Sequence, residues 1–388
     1  MFVYAVVLFG FQEWTSGMLA GLFHLGVYGP TVVLSIAAGI ILDRVRRDRV
    51  LIATMMAIGV CIAVVAVLSR FAGTDAPGMM AALMVGAVVV YGSFFVALRP
   101  AFYAVLSTVA DRENLGRDTV SVTLVSSATY PLAPIAVGLL RPILDWPALF
   151  GVMALLAIAA MLMGLVRLGD VDPGTTARPK AAAGLRGDVT ELLKLLGKYP
   201  VILQLLLLLS LACMLLFGPF QVLIPDLAAS VLELDEMWQG IYMGVLGAGV
   251  VVGTALSYRI RSSEHLGIWL LACTTTGALI SLGVALGPAL VSAICLFVAS
   301  TAMGILISLV TVVIQQATPD AFRGRLLGIY TLLFTGLTAI GGFIAGVLAD
   351  IIPMTVLLPA ISVGCAALTL PLWLGAHQLR NYSARDSS

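Results

Sequence analysis

Charge is scarce in this chain. Asp, Glu, Lys and Arg make up 11% of its 388 residues and apolar types 61%, whereas a soluble globular domain carries about 25% charged residues. That balance excludes an ordinary water-soluble domain. Histidine is scarcer still: His24, His265 and His377 stand far apart, so no metal cluster and no nucleophile with an imidazole base is in view, and an enzyme is not expected. The five cysteines, Cys61, Cys213, Cys273, Cys295 and Cys365, lie inside apolar segments without C-x-x-C spacing. A disulfide framework or zinc site is therefore not expected, and neither is a cofactor. A net charge of +1, with bases in separated loops, leaves no basic stripe for nucleic acid. A basic start followed by a short apolar core, the pattern of a cleavable signal, is also missing.

What the chain has in abundance is apolar runs. They cover roughly 17–42, 50–69, 78–107, 119–140, 147–166, 199–224, 238–258, 265–286, 288–314, 326–349 and 353–376, each long enough to cross a ~30 Å hydrocarbon core as a helix of about 20 residues. Met1 to Gly10 is apolar as well but about half that length, so the first of twelve segments reads as truncated, or the start as misassigned. The expected fold is an all-α polytopic membrane protein. Taking the first helix from inside to outside, 18 of the 21 bases fall in cytoplasmic segments; Arg70 and Arg141 lie outside and Arg99 lies within a helix. The positive-inside rule then supports the count and puts both termini in the cytoplasm.

The most charged short loop, Asp43-Arg44-Val45-Arg46-Arg47-Asp48-Arg49, follows Gly39 and separates the second and third segments. A carboxylate is disfavoured at a helix C-terminus, which carries partial negative charge, so Asp43 needs an answering partner such as a neighbouring arginine or the N-terminus of another helix. A purely topogenic role for the loop is the alternative.

The spacing Gly-x-x-x-Asp-Arg-x-x-Arg resembles the loop between helices 2 and 3 of the major facilitator superfamily, with departures at Arg46, where Gly is common, and at Asp48, where a base is common. The resemblance implies a latch of Gly39, Asp43, Arg44 and Arg47, in which Asp43 contacts the start of helix 11 and holds the outward-facing state. It also implies two six-helix halves, residues 1–166 and 199–388, joined by a cytoplasmic linker over 167–198.

The linker region holds Pro173, Gly174 and Pro179, which break regular structure. Its last part places Asp188 and Glu191 at capping-box spacing, with Val189, Leu192, Leu193 and Leu196 on one helical face. That is either an amphipathic helix on the membrane surface or a cytosolic extension of helix 7. The halves look like repeats: Gly39 and Asp43 correspond to Gly253 and Ser257, and the Arg117/Gly138 spacing recurs in Arg325/Gly346. Two-repeat transporters place substrate at the midplane. Small residues, such as Gly240/Gly244 and Gly249/Gly253, mark close helix packing, and Pro131 and Pro134 are expected to bend helix 5.

An ionisable residue inside a membrane is costly and points to function by default. Arg99, in the inner half of helix 4, is the main one, with a link to the following loop as the structural alternative. His24, in the outer half of helix 2, is either a hydrogen-bonded interface residue or a proton relay. Glu13, Asp145, Asp226 and Asp350 fall near outer helix ends, so no coupling carboxylate is evident at mid-depth. Tyr91, Tyr130, Phe217, Tyr242 and Thr335 lie at middle depth and are candidates to line an apolar cavity with a few polar contacts, packing being the plainer role for each.

Arg99-Pro100-Ala101, Asp111-Arg112-Glu113-Asn114-Leu115 and Pro319-Asp320-Ala321-Phe322-Arg323-Gly324-Arg325 are similar to the enterobactin and macrolide exporter branch of that superfamily. The resemblance implies a monomeric, proton-coupled secondary transporter of the bacterial inner membrane, surrounded by lipid, that exports an amphipathic small molecule such as a drug-like compound or siderophore by alternating access. A non-transporting receptor or scaffold that kept the fold is the alternative.

Overall fold

The structure, a computed structural model, describes residues 1–71, 77–109, 115–168, 200–261, 263–318 and 320–382; within these, the side chains of 36–37, 39–44, 47, 77, 103–104, 107–109, 115–121, 123, 167–168, 320–321 and 323–325 are outside the description. The described elements are helices: α1 (Phe2–Trp14), α2 (Gly17–Arg44), α3 (Arg47–Ser69), α4 (Pro77–Val109), α5 (Leu115–Leu140), α6 (Trp146–Leu168), α7 (Pro200–Val231), α8 (Glu236–Ile260), α9 (Leu266–Leu286), α10 (Ala289–Ala317), α11 (Asp320–Ala349), α12 (Met354–Gly375) and the single turn α13 (His377–Arg380). Ten of them contain stretches long and apolar enough to cross a membrane, and Phe2–Trp14 and Leu124–Leu140 are shorter apolar helices. Their outward faces carry large exposed apolar side chains such as Val33, Val166 and Leu290, a surface suited to lipid and not to water. The stretch expected to form an amphipathic helix, residues 188–196, and most of the linker lie outside the described residues.

The chain forms two compact units. The first comprises Met1–Pro179 with Leu234–Ile241, and the second Lys180–Glu233 with Tyr242–Ser388. The opening of α8 thus belongs to the first unit and the rest of that helix to the second.

In the first unit α2 packs along α4, α3 lies between α4 and α6, and α1 packs on α2, with smaller contacts to α5 and α6. The helix α1 runs four residues beyond the apolar run read from the sequence and closes at Thr15, whose left-handed backbone (φ 46°) lets its N–H donate to the Phe11 carbonyl. Although only 13 residues long, it is the most enclosed helix of this unit, with Ala5, Val6, Val7 and Phe9 fully buried. Phe9 meets Trp14, Trp146 and Phe150 edge-on at centroid distances of 5.2, 5.3 and 5.8 Å, a favoured geometry for aromatic pairs. Beside this cluster the Arg141 guanidinium lies 4.6 Å above the Trp146 ring, donates to the Leu144 carbonyl at 3.3 Å and reaches Glu236 at 3.4 Å.

In the second unit α7 contains two widened, π-helical turns, Cys213–Phe217 and Leu227–Val231. The first brings α7 against α11 so closely that a methyl group at Gly218 would strike the Thr338 carbonyl, and one at Gly341 the Met214 carbonyl. Hydroxyls join α9 to α12: Ser281 pairs with Ser362 at 2.6 Å, and Trp373 Nε1 donates to Thr275 at 2.9 Å. In a membrane such hydrogen bonds and small-residue contacts hold helices together where apolar burial gives no preference over lipid. The chain after α12 folds back, with the Leu379 N–H donating to Gln204 Oε1 at 3.0 Å.

Candidate transport site

In the first unit four polar side chains converge from three helices. Tyr28 comes from α2, Tyr91 and Arg99 from α4, and Tyr130 from α5. Their helices adjoin, with α2 packed along α4 and α4 touching α5. Local sequence explains the placement. Pro30 lies inside α2, Pro100 inside α4, and Pro131 and Pro134 inside α5, so each of these helices loses a backbone hydrogen bond near its contribution to the group and is free to bend there. Proline follows Arg99 and Tyr130 directly in the chain.

Accessibility divides the group. Arg99 and Tyr130 are exposed, Tyr130 by 57%, while Tyr28 is partly buried and Tyr91 only 6% exposed. Tyr91 is fixed by ring contacts, 4.4 Å from Phe2 and stacked on Phe95 at 5.8 Å. His24 is fully buried one turn before Tyr28, its ring 4.9 Å from the Tyr28 ring. The structure thus brings together Arg99, Tyr91, Tyr130 and His24 among the residues singled out from the sequence, and adds Tyr28, which was missed.

The remaining candidates lie in the second unit. Phe217, in the first widened turn of α7, meets Phe334 at 5.6 Å, and Phe334 stacks on Tyr330 at 5.9 Å. Thr335 follows Phe334 and is partly buried. Tyr242 is placed differently. It is 4% exposed, and its hydroxyl is engaged by Ser292, which also donates to the Val284 carbonyl; its polar end is committed to joining helices. Gly39, Asp43, Arg44 and Arg47 occupy the end of α2 and the start of α3, but their side chains lie outside the described residues. Next to them, Arg46 pairs with Asp48 at 2.8 Å. No group of metal-ligating side chains occurs among the described residues.

A polytopic, all-helical membrane protein with aromatic and polar groups gathered inside each unit is the class that this arrangement defines. The major facilitator superfamily model matches residues 1–342, and the chain belongs to that family. Solved structures with the same fold include a D-xylose-proton symporter (12% identity, 98% of each chain covered, TM-score 0.72). A bacterial homologue of the iron transporter ferroportin in an inward-facing state is similar at 16% identity, with 95% of this chain and 96% of that chain covered and a TM-score of 0.71. The nucleoside transporter NupG follows at 12% identity, 97% and 95% coverage and a TM-score of 0.71. No curated protein matches the chain in sequence.

Proposed function

We propose that this protein is a secondary active transporter that exports an amphipathic small molecule by alternating access, driven by protons, and that it falls in the exporter branch typified by the enterobactin and macrolide efflux proteins. The observation that carries the reading is an exposed guanidinium, Arg99, inside the apolar span of α4, with an exposed phenol, Tyr130, on α5, a helix that α4 touches. A charged group is retained inside a membrane-spanning segment at high cost unless it meets water or a ligand. Beside Arg99 in the first unit, the aromatic rings of Tyr28, on α2, and Tyr130, on α5, offer the apolar contact that an amphipathic substrate requires. The solved structures of this fold named above are a D-xylose-proton symporter, a homologue of an iron transporter and a nucleoside transporter, so the fold leaves the substrate to the site's own chemistry.

The test is accumulation of a fluorescent amphipathic dye in energised cells. Cells producing the protein are expected to retain less dye than cells producing the Arg99→Ala variant at matched levels of folded protein, and a protonophore should abolish the difference. Equal retention in all three conditions would overturn the proposal.

A further inference from the structure

We infer that the turn after α12, residues 376–382, is a clamp that ties the starts of α7 and α9 to the end of α12 and stays docked while the protein works. The inference goes beyond the transport reading and uses neither Arg99 nor the tyrosines of the first unit. All the residues that form the clamp lie in the second unit, and three observations lead to it.

First, the turn is anchored to α7. Gln204, one turn into that helix, is the one polar side chain in the run Val201–Leu209. A carboxamide in such a run faces hydrocarbon unless another part of the protein meets it, and an unmet polar group in that setting is costly. Its Oε1 accepts the Leu379 N–H at 3.0 Å. The bond serves both sides, since Leu379 lies in the single turn α13 (His377–Arg380), whose opening N–H groups find no carbonyl within the turn.

Second, the turn is seated on α9. A methyl group at Gly267 would strike the Leu379 carbonyl and come within 3.1 Å of the Arg380 Cα, so the two backbones meet because this position has no side chain. The Gly267 N–H, in the first turn of α9, donates to the Tyr382 carbonyl at 3.4 Å. Between these contacts the Leu379 side chain is fully buried, and Ala376 and Tyr382 are buried as well.

Third, the turn is bonded back to the helix it leaves. Arg380 donates to the Trp373 carbonyl at 3.1 Å, and its guanidinium meets His377 Nδ1 at 2.9 Å. A cation at this place also suits the negative end of α12. Trp373 in turn donates from Nε1 to Thr275 on α9 at 2.9 Å. Residues 204, 267 and 379, far apart in the chain, thus close one joint between α7, α9 and α12. Burial and hydrogen bonding of this kind set a docked segment apart from a fraying terminus.

The test compares a buried and an exposed position of the turn in purified full-length protein with the five native cysteines replaced. Leu379 and Gln378 are neighbours in the chain, the first buried and the second exposed. N-ethylmaleimide, which crosses membranes, should label Leu379→Cys roughly tenfold or more slowly than Gln378→Cys, both in detergent and in proteoliposomes under an imposed pH gradient. Gln204→Leu or Gly267→Val, each added to Leu379→Cys, should speed that labelling roughly fivefold or more and leave Gln378→Cys unchanged. Equal rates at the two positions, a difference that disappears under the gradient, or slow labelling that survives both added substitutions would each overturn the clamp. Should Leu379→Cys fail to fold, the thermal midpoint decides: Gln204→Leu should lower it by about 2 °C or more, and an unchanged midpoint would overturn the inference. Failure here and failure of the transport reading are distinguishable, because export enters neither readout. Dye export with fast labelling of Leu379→Cys refutes the clamp and leaves transport standing, whereas slow labelling without export of any dye refutes transport and leaves the clamp.

Discussion

Gly138 on α5 and Gly240 near the start of α8 meet backbone to backbone: a methyl group at Gly240 would lie 2.6 Å from the Gly138 Cα, and one at Gly138 would lie 2.7 Å from the Gly240 Cα. Neither position tolerates a side chain without moving a helix. Gly240→Val is therefore expected to cost ~1–3 kcal/mol, the usual range for overpacking. The readout is the thermal unfolding midpoint of the purified protein, which should fall clearly for Gly240→Val and stay unchanged for Gly151→Ala, where nothing lies within 4 Å. Equal midpoints for the two variants would mean that the α5–α8 contact leaves room for a side chain.

Arg141 stands beside that contact and divides its guanidinium among three partners. The pair with Glu236 is half open to solvent, at 20% and 32% side-chain exposure, so Glu236→Gln should cost less than about 1 kcal/mol. Arg141→Met loses more, since it also removes the cation–π contact with Trp146 and the bond to the Leu144 carbonyl. A double-mutant cycle on unfolding midpoints separates these parts. A loss in Glu236→Gln as large as that in Arg141→Met would show that the ion pair, and not the ring contact, holds this corner.

Tyr242 provides a control for the substrate site. Because its hydroxyl is spent on Ser292, Tyr242→Phe should lower stability by about 1 kcal/mol, the ordinary worth of such a bond, and leave export per folded molecule unchanged. Export that falls with stability unchanged would move Tyr242 into the substrate path.

Asp43, at the end of α2 and four positions before Arg47, is proposed to favour the outward-facing state through its charge. Asp43→Asn keeps the shape and removes the charge. A charge at a helix end contributes up to ~2 kcal/mol, which shifts a two-state ratio by roughly thirtyfold. With the five native cysteines replaced and a cysteine at Thr335, labelling from outside by an impermeant reagent should slow in Asp43→Asn. Unchanged labelling together with unchanged export would reduce the loop to a topogenic cluster.

Much of the fold was legible because the membrane imposes simple rules. Apolar runs of about 20 residues separated by charged loops mark spanning helices. Arg99 was legible for the same reason, as the one charge far from a helix end. What was not legible depended on which face of an apolar helix a side chain takes. Tyr28 was missed because a tyrosine in an apolar stretch is equally at home in packing, and only the approach of α4 and α5 gives it neighbours. Tyr242 looked like a lining residue for want of the same information, its partner Ser292 being 50 positions away. The widened turns of α7 leave no clear mark in a run as uniformly apolar as Leu205 to Leu216. The apolar run at the start of the chain ends at Gly10, whereas α1 continues through Gln12 and Glu13 to the left-handed turn at Thr15.

The central claim is proton-driven movement of an amphipathic solute, and the most direct measurement uses the purified protein in sealed proteoliposomes with a pH gradient and dansylglycine on one side. Uptake against the solute gradient should begin when the pH gradient is imposed, stop when a protonophore collapses it, and be absent from protein-free vesicles and from vesicles carrying Arg99→Ala. Equal uptake with and without the gradient, at the rate of protein-free vesicles, would contradict it.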